Sequence, residues 1–206
     1  MQQTTSKQLY AYWDRVRNGR RAPQRFEIEP AKIAPLLPET FIAECTGPHG
    51  VRFRLAGTKI CEQFGRELRG IELLSLWEPD DQEALASLLR SILTGAAMGD
   101  VVFQAHTEEN RQAKFELVLM PLIHAGHTVN RLLGAISAID PPFWLGASPL
   151  VRQEIIDLDL HWPDATSAFI ATSGRARRPH ATDAVRPVRR RFRVYEGGLD
   201  KRKDAY

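Results

Sequence analysis

Cysteine is nearly absent: Cys45 and Cys61 are the only two in 206 residues. That scarcity argues against a disulfide framework and against a thiolate metal site, and both read as small buried hydrophobes, the usual habit of free Cys. No apolar run approaches the roughly 20 residues of a membrane span. The opening MQQTTSKQLYAYWDR is too polar for a secretory signal. The expectation is a cytoplasmic protein without membrane insertion. The strings G-x-x-x-x-G-K-[ST], G-x-G-x-x-G and G-x-S-x-G are all missing, which removes the common phosphate-cradling loops and the nucleophile elbow. No Cys–His pair has local support for nucleophilic catalysis. The chain is expected not to be an enzyme.

What is present is a chain with 43% hydrophobic residues, enough for one good core. A formal net charge of +3 hides an asymmetry. Residues 174–206 hold eleven Lys or Arg against four acids, leaving 17 basic and 21 acidic side chains in the first 173. A mildly acidic globule therefore carries a basic tail, in which RPVRRRFRVY alternates basic with aromatic or aliphatic character. As a nucleic-acid arm the tail would add salt-sensitive, sequence-independent affinity. No base-reading element accompanies it, so a disordered docking segment for an acidic partner is the preferred reading.

In chain order, Leu9, Tyr12, Trp13 and Val16 form a helical stripe within Ser6–Gly19, ended by Asn18-Gly19. Two readings of that stripe stand: it packs on its own domain, or it pairs with a second copy or a partner helix. Four prolines punctuate Arg20 to Pro38, and Thr40–Cys45 reads as a strand. Val51, Phe53 and Leu55 alternate with Arg52 and Arg54 in a second strand, completing a hairpin. Thr58 is placed to cap a short helix holding Ile60, Cys61 and Phe64, stopped by Gly65. Another short helical piece spans Arg66 to Trp77. Gln82–Thr94, with Leu85, Leu88, Leu89 and Ile92, is the strongest helix. Strands follow at Asp100–His106, Lys114–Ile123 and Arg131–Ile139. Pro141-Pro142 ends the sheet, and Phe143, Trp144, Leu150, Ile155 and Ile156 mark one more packed segment. The domains are a flanking helix (1–22), the main domain (23–145), a packed C-terminal extension (146–172) and a basic, disordered tail (173–206).

The strings YAYWDRVRNGRRAPQR, LLPETFIAE, FRLAGTKICEQFGREL and FELVLMPL sit in a ββ–short helices–long helix–βββ order. Together they resemble the single-domain PAS family of alphaproteobacteria, over residues 8–145. The resemblance implies an α+β PAS fold: a five-stranded antiparallel sheet with helices packed on one face. It also implies a non-catalytic signalling or regulatory protein, some relatives being regulators of motility and cell-cycle signalling. No kinase, cyclase or response-regulator segment fits in the rest of the chain. Output would then pass by protein–protein contact with a partner such as a histidine kinase, and the chain would be a homodimer. The alternatives are a small-molecule sensor whose ligand modulates partner binding, and a nucleic-acid binder acting through the tail.

The implied ligand pocket lies between sheet and helices, lined by Phe53, Leu55, Phe64, Leu68, Trp77, Leu89, Phe103, Phe115, Leu117 and Ile136. Gly134, Ala135 and Ser137 leave room on the last strand, yet the cavity is expected to be filled by its own side chains, without a cofactor. Haem-binding PAS domains take an axial His from the long helix, and Gln82–Thr94 contains none. Flavin photosensors use an Asn-Cys-Arg-Phe-Leu-Gln string, whereas Cys61 lies in Lys-Ile-Cys-Glu-Gln-Phe. His124 and His127 across a hairpin tip read as solvated turn residues, and no metal is expected. Arg66 or Arg69 would contact an anion if either faces the cleft; the other reading is a surface ion pair. Leu9, Tyr12, Trp13 and Val16 are the expected partner or dimer surface.

Overall fold

The computed structural model describes residues 1–47, 50–163 and the backbone of 192–194. Among the described residues, three α-helices form where apolar stripes meet helical signals. Helix α1 (Thr4–Arg17) buries Leu9, Tyr12 and Trp13 and ends on Asn18 in the left-handed region, φ 47°. Helix α2 (Thr58–Phe64) ends on Gly65, φ 62°, a conformation that glycine adopts without a Cβ penalty. Its N-cap is Gly57 rather than Thr58, and no side chain caps it. Helix α3 (Pro79–Gly95) starts with Pro79 in its first turn and Asp80 and Asp81 beside the positive end of its dipole. Short 3-10 segments span Arg25–Glu27, Pro30–Glu39 and Leu73–Leu76. The last is all that remains helical of the stretch Arg66 to Trp77.

The strands are β1 (Thr40–Cys45), β2 (Val51–Ala56), β3 (Met98–His106), β4 (Gln112–Ile123), β5 (Val129–Ile139), β6 (Arg152–His161) and β7 (Phe192–Val194). They form one sheet in the order β2-β1-β5-β4-β3-β6-β7. Every neighbouring pair is antiparallel except β6 and β7, which run parallel. The expected five strands are therefore present but extended at one edge by a full sixth strand and a three-residue seventh. Strand β6 escaped detection for a physical reason. Phe103 pairs with Ile155 while Val102 pairs with Asp157, leaving Ile156 as an extra, half-exposed residue. The bulge places two isoleucines side by side and breaks the period-2 pattern that a strand otherwise shows. Apart from the backbone of β7, the basic tail lies outside the described residues.

Helices were expected on one face only; the structure covers both. On the inner face α2, the 3-10 turn Leu73–Leu76 and α3 bury Phe53, Phe64, Leu68, Leu88, Phe103 and Phe115 with their neighbours. On the outer face α1 and the Pro-rich segment bury Leu9, Trp13, Ile33, Val118, Met120 and Leu133. The central strands β4 and β5 are buried from both sides over most of their lengths. Each fully buried large side chain contributes about 1.5–3 kcal/mol of transfer free energy.

Two glycines set how closely the layers meet. A Cβ on Gly99 would come within 2.9 Å of Leu88 and Ile92, so α3 rests directly on β3. At Gly134 the space expected on β5 is occupied by the Phe41 ring. A Cβ there would lie 2.2 Å from Phe41 Cζ and 2.6 Å from the Val118 carbonyl oxygen. Overpacking against backbone cannot relax by a rotamer change, so Gly134→Ala is expected to destabilise the fold by at least about 1–3 kcal/mol, read from the urea midpoint. An unchanged midpoint would show that Phe41 and β4 move aside freely.

Candidate functional site

Nine of the ten expected pocket residues converge on the inner layer. Phe53, Phe64, Leu68, Trp77, Leu89, Phe103, Phe115, Leu117 and Ile136 are all buried in one cluster. Their rings meet directly: Trp77 and Phe103 edge-on at 5.7 Å, Phe103 and Phe115 stacked at 5.3 Å. Phe41, absent from the expected set, joins Phe53 edge-on at 5.1 Å. Its place opposite Gly134 joins residues far apart in the chain, so the sequence carried no signal for it. Inside or beside this layer, Gln63 Oε1, Gln153 Nε2 and Trp77 Nε1 are buried without a hydrogen-bond partner among the described residues.

Leu55 is the exception, 52% exposed. Ile42 pairs with Leu55 and Ala43 with Phe53, so Arg54 is an extra residue and the alternation slips. Leu55 therefore sides with Ile42 on the outer face rather than lining the core. Arg66 and Arg69 are exposed and do not enter the cleft. His124 and His127 are exposed in the β4–β5 connection. No group of three metal-ligating side chains occurs among the described residues. Burial raises the thiols of Cys45 and Cys61 above their ordinary pKa, and Cys61 Sγ lies 3.7 Å from Glu67.

The α1 stripe packs on its own sheet. Leu9, Tyr12 and Trp13 are buried there, with Val16 half-buried beside them. Trp13 Nε1 donates to the Pro121 carbonyl at 2.8 Å, and the Tyr12 hydroxyl accepts from Glu29 N–H at 2.8 Å. Just ahead of α1, the wholly buried Glu116 accepts N–H bonds from Gln2 and, at 3.1 Å, Gln3. The terminal ammonium of Met1 meets Asp100, whose carboxyl is pushed up by burial despite that partner.

Glu39 links three layers. It accepts from Thr5 at 2.6 Å and Ser137 at 2.7 Å and pairs with Lys59. Burial raises its pKa, but the bonds from Lys59, Thr5 and Ser137 outweigh this and hold it below the ordinary carboxylate range. Beside it, the Pro-rich segment, β1 and β2 enclose an outer-face groove of about 420 Å³ that includes Leu55 and Arg25.

A sheet whose first five strands lie in the order 2-1-5-4-3, with short helices and one long helix over its inner face, defines a PAS-type module. The family model described as PAS domain matches residues 1–137, and the chain belongs to that family. Among solved structures, a light-oxygen-voltage domain studied with a flavin analogue is 15% identical, with 53% of this chain and 83% of that chain covered at a TM-score of 0.43. The Rhodobacter sphaeroides LOV protein is 15% identical, with coverage of 51% and 61% and a TM-score of 0.42. A sensory box histidine kinase/response regulator from Burkholderia thailandensis E264 is 17% identical, with coverage of 54% and 85% and a TM-score of 0.36. At such scores these likenesses carry no further argument. No curated protein matches the chain. Among the described residues no helix is long and apolar enough to cross a membrane.

Truncation of the buried Trp13 removes both its packing and its bond to Pro121. Trp13→Ala is expected to cost about 3–5 kcal/mol of stability and to leave the oligomeric state unchanged. Sedimentation across a concentration series, run beside thermal melts, checks both halves.

Glu39 generates a pH prediction. Its folded pKa lies below the unfolded value, so its stabilisation is complete above the ordinary Glu range of about 4.3 and is lost as pH falls through the folded value. Glu39→Gln should lower the urea midpoint at pH 7, and the gap to wild type should narrow below about pH 4. A gap constant down to pH 3 would contradict the assignment.

Proposed function

We propose that this protein is a non-catalytic PAS signalling protein that acts by contact with a signalling partner such as a histidine kinase, in motility or cell-cycle control. The observation that carries this reading is the inner layer, where a small-molecule PAS ligand would sit. There Trp77, Phe103 and Phe115 meet ring against ring, and Phe41 fills the space opposite Gly134. A domain whose interior is occupied by its own side chains has its surface left for output. Phe143, Val151 and Ile156 are large apolar side chains left at least half exposed, as a contact surface requires. The link to motility, to the cell cycle and to a kinase comes from the resemblance to stand-alone alphaproteobacterial PAS regulators. With Leu9, Tyr12 and Trp13 packed inside the protomer, the α1 stripe is not the surface proposed for a partner.

The sensor reading has one observation in its favour. The unpartnered Gln63 Oε1, Gln153 Nε2 and Trp77 Nε1 offer one acceptor and two donors in a dry environment, which a polar ligand or buried water would satisfy. Two measurements separate the readings. Native mass spectrometry and an absorption spectrum of gently purified protein are expected to show the polypeptide mass and no visible band. Photo-crosslinking groups at Phe143 and Ile156 are expected to capture a signalling protein in its native cells. A co-purifying small molecule would transfer the assignment to the sensor reading, and crosslinks confined to nucleic acid would sink both.

A further inference from the structure

The outer-face groove belongs to no part of the role proposed above and does not depend on it. It lies where the segment Pro30–Glu39 crosses β1 and β2, and its volume of about 420 Å³ falls in the ~300–1,000 Å³ range of small-molecule pockets. The walls are aliphatic, chiefly Ile28, Ile33, Leu37, Ile42, Leu55 and Leu133. Among the lining residues Arg25 is the one that carries a charge. It is half-buried and makes no ion pair among the described residues. Nearby cations are matched: Lys32 with Glu29, Lys59 with Glu39 and Arg54 with Glu44.

The backbone of the groove narrows the class of occupant. Strand β1 is paired on both sides, with β2 and with β5, and Gly57 N–H is already bonded to the Thr40 carbonyl. An extended peptide would find no free ladder on β1, whereas an alkyl chain asks for no hydrogen bonds at all. Apolar walls with one unmatched guanidinium complement a molecule that is apolar along its length and anionic at one end.

We propose that this groove binds an aliphatic carboxylate, its chain lying over Ile33, Ile42, Leu55 and Leu133 and its carboxylate paired with Arg25. The test is a titration of the isotopically labelled full chain with sodium dodecanoate below its micelle-forming concentration, followed by backbone amide shifts. Shifts are expected at Ile33, Ile42, Leu55 and Gly57, with Phe103 and Phe115 unmoved. Arg25→Gln should weaken dodecanoate by about tenfold or more, the usual scale of a charge-assisted bond, and dodecanol should not distinguish the variant from wild type. Leu55→Asp, at a half-exposed position that the fold does not need, should abolish binding while leaving the spectrum folded. Four results would each overturn the proposal: no shifts, shifts centred on Phe103 and Phe115, equal affinity of wild type and Arg25→Gln, or saturation of the groove by a Glu-bearing amphipathic peptide but not by dodecanoate.

Discussion

A carboxylate with no exposed surface must find donors inside the protein, because an unpaired buried charge is far costlier than any single contact is favourable. Glu116 sits in that position on the outer face of β4 and finds them in the amides of Gln2 and Gln3. The bond lies at the positive end of α1, so charge and helix dipole act together. Much of the outer face depends on this anchor. Held there, α1 places Leu9, Tyr12 and Trp13 on the sheet, and Tyr12 in turn receives the Glu29 amide at the entry to the Pro-rich segment. Glu39, at the end of that segment, ties it to α1 through Thr5, to β5 through Ser137 and to α2 through Lys59.

Covering both faces of β4 and β5 decides which surfaces remain for function. The inner layer is packed with aromatic rings, and α1 covers the centre of the outer face. Among the described residues, the groove beside β1 and β2 and the exposed Phe143, Val151 and Ile156 lie at the periphery. The proposed signalling contact and the proposed site for an amphiphilic anion draw on different parts of that periphery.

Much of the fold was legible in the chain because the local signals agreed with one another. Helix α3 shows Pro79, two acids and a continuous Leu/Ile stripe, and it lies within a few residues of its expected bounds. Strands β1 to β4 alternate well enough to be counted, β5 reads as a mixed run of small residues, and the β1–β2, β3–β4 and β4–β5 hairpins are local. The inner layer was legible for the same reason: nine residues chosen by strand parity and helical spacing share one cluster. Two of the departures fall at bulges. One extra residue at Arg54 turned Leu55 to the outer face, and one at Ile156 disguised β6.

The sequence by itself determined the elements with unbroken periodicity, the ββ–short helices–long helix–βββ order along the chain and the charge division between residues 1–173 and 174–206. These depend on spacing and composition, which are local properties. Only the tertiary structure decided which face α1 covers, that Glu116 anchors it, that Phe41 fills the space left by Gly134, and that Arg25, without an ion pair among the described residues, stands beside an aliphatic groove. Each of those outcomes joins residues far apart in the chain, Gln3 with Glu116 or Phe41 with Gly134. Periodicity tells a side chain which face of its own element it occupies. It carries no information about which distant element meets that face, because that choice is made by burial and hydrogen-bond satisfaction summed over the whole fold.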